Sequence, residues 1–103
     1  MALKPLNQSI IEGQIFVLEC LPANTNKSTV QWIKNKRLLG SDHDRIFLAQ
    51  AYLLIMNASR EDAGTYICRV ETDNNIIEFA AAITVNGVFI IFSYYYHGKW
   101  MKF

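Results

Sequence analysis

Along most of the first 86 residues, apolar positions alternate with polar ones, the period of two that half-buried strands leave in a sequence. Over residues 14–21, Phe16, Leu18 and Cys20 fall on one face while Val17 and Glu19 fall on the other. Val30 and Trp32 share a face in the same way, as do Leu53 and Ile55 within residues 52–57. Cys68 and Val70 form a further pair, and Phe79, Ala81, Ile83 and Val85 line one side of residues 76–85. These sets are the predicted inner faces, with Ala58 placed over the core at the corner that ends in Asp62-Ala63-Gly64. Turn-forming residues separate the strands: Glu12-Gly13, Asn35-Lys36, residues 41–44, and Asp73-Asn74-Asn75, whose residue types tolerate left-handed backbone. Residues 3–9 read as the first strand, on an edge, because Pro5 has no N–H to donate to a central ladder. Residues 22–28, polar and rich in Asn and Thr, form a predicted solvent-exposed connection. The pattern is that of an all-β chain.

After Asn86-Gly87 the alternation ends and residues 88–103 become apolar and aromatic, with two lysines. This segment is too short to span a bilayer, which takes about 20 apolar residues. Three readings stay open: a segment at a membrane interface, an extra strand or partner-binding segment, or read-through past an exon boundary after Gly87. The last is favoured, because a valine codon begins with the GT that opens an intron, and an early stop there suggests a soluble truncated form. Residues 88–96 combine strand propensity with no charge, a hazard for aggregation when exposed.

At 103 residues the chain fits one domain and not two. Ten Lys and Arg stand against nine Asp and Glu, so there is no electrostatic footprint for nucleic acid or a polybasic membrane patch. The run Lys34-Asn35-Lys36-Arg37 sits on a predicted hairpin turn and reads as a solvated edge that can steer a partner.

Trp32 follows Cys20 by twelve residues, and Tyr66 stands two before Cys68 in Asp62-Ala63-Gly64-Thr65-Tyr66-Ile67-Cys68. With these anchors the chain resembles an immunoglobulin superfamily domain of the I-set or C2-like type, from roughly residue 3 to residue 85. The resemblance implies an all-β, immunoglobulin-like two-sheet Greek-key β-sandwich over residues 1–87, with 88–103 as an atypical hydrophobic tail. It implies one disulfide between Cys20 and Cys68, the alternative being two buried free thiols, as in cytosolic muscle-type members. It makes Tyr66 the corner tyrosine, its hydroxyl bonded to backbone a few residues upstream, and it pairs Arg45 with Asp62. A short strand at residues 37–39 leaves no room for the extra strands of an antibody variable domain, so that type is excluded. Residues 45–64 are similar to neural-adhesion-type and interleukin-1-receptor-type domains, and residues 16–22 to the immunoglobulin domain of semaphorins.

Three N-glycosylation sequons, at Asn7, Asn26 and Asn57, point to an extracellular or cell-surface protein. No secretory leader is visible ahead of the first strand, so the chain reads as a fragment. Chemistry is sparse. His43 and His97 are the only histidines, one in a polar turn and one in the tail, and no phosphate-cradling glycine loop occurs. An enzyme, a cofactor, a metal site and a small-molecule substrate are therefore not expected. The expected function is protein binding by one domain of a cell-adhesion molecule or cytokine-type receptor, the partner being another protein or a second copy. Loops usually carry recognition on such scaffolds, which selects Asn35, Lys36 and Arg37, and Asp73, Asn74 and Asn75. The alternative is a spacer domain in an intracellular filament protein.

Overall fold

The structure, a computed structural model, describes residues 3–23, 28–42, 44–87, 93–96 and 99–102. Eight strands build two facing sheets: β1 Gln8–Ile11, β2 Phe16–Glu19, β3 Thr29–Lys34, β4 Arg37–Leu38, β5 Ile46–Leu48, β6 Tyr52–Ile55, β7 Gly64–Glu71 and β8 Ile76–Asn86. The larger sheet runs β1-β8-β7-β3-β4 and the smaller β2-β6-β5. All pairings between these strands are antiparallel except β1 with β8, which is parallel. This is the expected two-sheet sandwich. Two further strands, β9 Ser93–Tyr96 and β10 Lys99–Lys102, pair antiparallel in a sheet of their own.

The inner faces are those that the alternation predicts. Phe16, Leu18 and Cys20 from one sheet meet Trp32, Tyr66, Cys68, Val70, Ala81 and Ile83 from the other, with Leu53, Ile55 and Ala58 and, beyond the predicted first strand, Ile10 completing the core. A disulfide joins Cys20 to Cys68 across the sandwich, and Trp32 lies directly opposite Cys68 on the neighbouring strand. The rings of Phe16 and Tyr66 meet edge to face at 6.1 Å, a favoured aromatic arrangement.

The first strand departs from expectation. Instead of one strand over residues 3–9, Leu3 bridges to Leu21 beside the smaller sheet, whereas Gln8–Ile11 joins the larger one. Pro5, which cannot donate a backbone hydrogen bond, is buried between the two pairings. The strand over 14–21 is also shorter, at Phe16–Glu19. The Gln8 side-chain amide donates to the Val17 carbonyl at 2.8 Å, satisfying a group on that strand's outer edge.

Candidate functional site

Below the core, a corner of polar groups closes the sandwich. The short 3-10 turn Arg60–Asp62 brings the Asp62 carboxylate under β6 and β7. Arg45 donates to it twice, from Nη1 at 2.9 Å and Nη2 at 3.1 Å, and the Ser59 N–H donates at 2.8 Å. Burial alone would push the Asp62 pKa up, but the bonds from Arg45 and Ser59 and the charges of Arg45 and Lys34 together hold it below the usual carboxylate value. The Tyr66 hydroxyl donates to the Asp62 carbonyl at 2.6 Å, and burial raises its pKa above that of an ordinary phenol. Lys34 packs its ammonium over the Tyr66 ring at 5.2 Å and donates to the Glu61 carbonyl at 2.5 Å. Burial lowers the Lys34 pKa, opposed by the Asp62 charge. Every group here bonds to the fold itself, so this corner is architecture.

The two turns selected for recognition lie at opposite ends of the larger sheet. Lys34 pairs with Tyr66 at one end of β3, and Thr29 pairs with Glu71 at the other. Asn35, Lys36 and Arg37 therefore sit by the Tyr66 end, while Asp73, Asn74 and Asn75 lie beyond Glu71, where β7 ends, about five residues or roughly 17 Å along the strand from Tyr66. Asn35 and Lys36 both adopt left-handed backbone, with φ of 53° and 64°, as a two-residue hairpin with right-handed strand twist requires. Asp73, Asn74 and Asn75 do not use the left-handed region their residue types allow. There the Thr72 N–H donates to the Asn75 carbonyl at 2.8 Å and the Asn75 N–H to Thr72 Oγ1 at 3.1 Å, so the turn closes on itself.

Between the turns lies the outer face of the larger sheet. Leu38, Ile33, Ile67 and Ala80 stand directly opposite one another on four adjacent strands. Leu38 is 64% exposed. The next row along the strands is polar: Gln31, Arg69 and Glu78. The Arg69 Nε is buried and has no hydrogen-bond partner among the described residues. Loop-based reasoning missed this face. Strand alternation does place Ile33 opposite in sense to Trp32, but which residues stand beside it depends on cross-strand register.

Asn7 and Asn57 are both exposed, while Asn26, His43 and His97 lie outside the described residues. The Asn7 Oδ1 accepts the Ala82 N–H at 2.8 Å, and Asn57 takes a left-handed backbone with φ of 51°. Among the described residues no cluster of three or more His, Cys, Asp or Glu is placed to hold a metal.

A family model described as "Immunoglobulin domain" matches residues 1–72. The chain belongs to the immunoglobulin domain family. This immunoglobulin domain is 36% identical over 86 residues to contactin-5 of Gallus gallus, covering 79% of this chain and 8% of that protein. It is 31% identical over 85 residues to neogenin of Mus musculus, covering 81% of this chain and 6% of that protein. The chain thus spans less than a tenth of the length of either relative. Among solved structures, a chain of the Titin M10-Obscurin like 1 Ig complex superposes with a TM-score of 0.73 at 25% identity, covering 82% of this chain and 89% of that one. The immunoglobulin domain is therefore similar to those of adhesion molecules and receptors.

Proposed function

We propose that this immunoglobulin domain is an extracellular protein-binding module of an adhesion molecule or cytokine-type receptor, and that residues 1–87 take a protein partner on the outer face of the larger sheet. The row Leu38, Ile33, Ile67 and Ala80 carries this reading: Leu38 and Ala80 are exposed with half-buried Ile33 and Ile67 between them, and apolar surface rimmed by polar residues marks interaction sites. The neighbouring Gln31, Arg69 and Glu78 supply polar groups to orient a partner. The Asn35-Lys36-Arg37 turn and the Asp73-Asn74-Asn75 turn border the face at its two ends. The domain acts by binding, without catalysis or cofactor. Similarity to contactin-5 and neogenin supports the adhesion-type setting.

Two measurements test this. Expressed behind a secretory leader, the protein gains mass that an N-glycosidase removes, at Asn7, Asn26 or Asn57, and non-reducing mass mapping finds the Cys20–Cys68 bond. Screened against cell-surface ectodomains, the protein binds, Ile33→Lys abolishes binding, and Val17→Lys on the opposite sheet leaves it intact. The second reading, a spacer in an intracellular filament protein, is supported by the likeness to the Titin M10-Obscurin like 1 Ig complex. Free thiols and an unglycosylated chain would select it.

A further inference from the structure

Strand β8 is paired unevenly along its two sides. β7 pairs with it from Ile76 to Ile83, whereas β1 pairs only from Ile83 to Asn86. Continuing the β1 register upstream sets Asn7 beside Ala82 and Pro5 beside Ala80. Asn7 substitutes its side chain for backbone, Oδ1 accepting the Ala82 N–H at 2.8 Å, and Pro5 has no N–H to offer. The chain then leaves for its bridge with Leu21. Residues 76–81 therefore have β7 on one side and, among the described residues, no strand on the other.

Alternation decides which groups face the open side. The Ala82 N–H points away from β7, toward Asn7, and the Asn86 carbonyl accepts from the Glu12 N–H at 2.9 Å on that same side. Even-numbered residues of β8 thus aim their backbone groups outward, and among the described residues no strand pairs with the N–H and C=O of Ile76, Glu78 and Ala80. Such a row is a template for another extended strand. Ile76 and Ile77 beside it are 51% and 46% exposed, and Glu78 is the only charged residue in β8.

We propose that this edge pairs with the same edge of a second copy, antiparallel, about a two-fold axis at Ile77. Three registers bring even residues against even ones near the centre of the edge. A register centred on Glu78 sets two carboxylates face to face. One centred on Phe79 sets Ile76 against Ala82, whose N–H is already taken, and brings together two Lys4 ammonium groups, each 5.3 Å above a Phe79 ring. Centred on Ile77, Ile76 exchanges both backbone bonds with the second copy's Glu78, twice by symmetry. The two Ile77 side chains then meet at the narrow, non-hydrogen-bonded position, and no like charges are opposed. The contact is isologous and far smaller than the roughly 1,600 Å² of a standard interface, so the pairing is a weak equilibrium. It uses a different surface from the partner face proposed above and does not depend on that reading.

Sedimentation velocity on the whole chain, from about 10 μM to about 1 mM, spans the affinities expected of so small a contact. The sedimentation coefficient of the wild type is expected to rise with concentration. Ile77→Lys, which opposes two ammonium groups, and Glu78→Pro, which deletes one outward N–H, each weaken association at least tenfold. Under mild oxidation Ile77→Cys forms an intermolecular disulfide and Phe79→Cys does not. Circular dichroism and mapping of Cys20–Cys68 confirm that each variant is folded. A wild type that stays monomeric throughout, association that survives both Ile77→Lys and Glu78→Pro, or equal cross-linking at positions 77 and 79 overturns the proposal. Association lost only on deleting residues 88–103 would assign it to that segment instead, and capture of an unrelated extended peptide without self-association would give the edge another occupant.

Discussion

Replacing Asp62 with alanine tests whether the lower corner holds the sandwich together. The carboxylate is nearly inaccessible, Asp62 being 5% exposed, and it accepts two bonds from Arg45 and one from the Ser59 N–H. Breaking a buried ion pair by deleting one partner costs about 3–5 kcal/mol, because the other charge stays desolvated. The Arg45 side chain keeps 31% of its surface in water, which recovers part of that cost, and its Nη1 also donates to the Met56 and Asn57 carbonyls. The unpaired Ser59 N–H adds about 1 kcal/mol. The net expectation for Asp62→Ala is a loss of about 2–4 kcal/mol, against about 5–15 kcal/mol for a whole domain. A loss of 3 kcal/mol lowers Tm by roughly 12–24 °C in a domain of this size. Urea denaturation at neutral pH, followed by circular dichroism and tryptophan fluorescence, measures it. Asp62→Asn, which keeps one acceptor oxygen for Ser59, should lose about half as much. A loss below about 1 kcal/mol for Asp62→Ala would mean that the pair behaves as an exposed surface pair, refuting the assignment of this corner as a structural clamp.

The same carboxylate predicts acid sensitivity. Its folded pKa lies below the unfolded value of about 3.9, so its contribution is full above about pH 5 and is lost as pH falls through the folded value; urea titrations across that range should show this loss in the wild type and not in Asp62→Asn. Reducing the Cys20–Cys68 bond, which spans a sequence separation of 48, should cost roughly 4 kcal/mol on the chain-entropy account, read as a lower urea midpoint in reductant. Lys36→Gly should raise stability by about 1 kcal/mol in thermal melts, since Lys36 holds a φ of 64° that glycine adopts without the side-chain penalty; no gain would mean that the turn relaxes when the domain is free in solution.

Much of the fold is legible in the chain because burial on a strand is a local property. Phe16, Leu18 and Cys20 alternate with exposed Val17 and Glu19, and any strand packed on one face must show this pattern. The spacing of Cys20, Trp32, Tyr66 and Cys68 points to the sandwich in the same way, each residue serving the core. The first strand was less legible. Pro5 signals an edge, but the crossing from one sheet to the other depends on where Leu21 and Ile83 lie, and those positions are set by distant parts of the chain.

The surfaces that bear on function belong to this second kind of information. The turn residues Asn35, Lys36 and Arg37, and Asp73, Asn74 and Asn75, can be picked out by residue type, yet their separation to opposite ends of one sheet follows from the pairing of β3 with β7. The row Leu38, Ile33, Ile67 and Ala80 draws four residues from four strands, and no window of sequence contains it. The open flank of β8 exists because β1 stops short of it. Residue alternation was enough to place most of the inward-facing side chains, and the spacing of Cys20, Trp32, Tyr66 and Cys68 carried the resemblance that implies a sandwich. Cross-strand register, which the closure of the whole sandwich decides, settled which outward residues become neighbours and which backbone groups are left for another molecule.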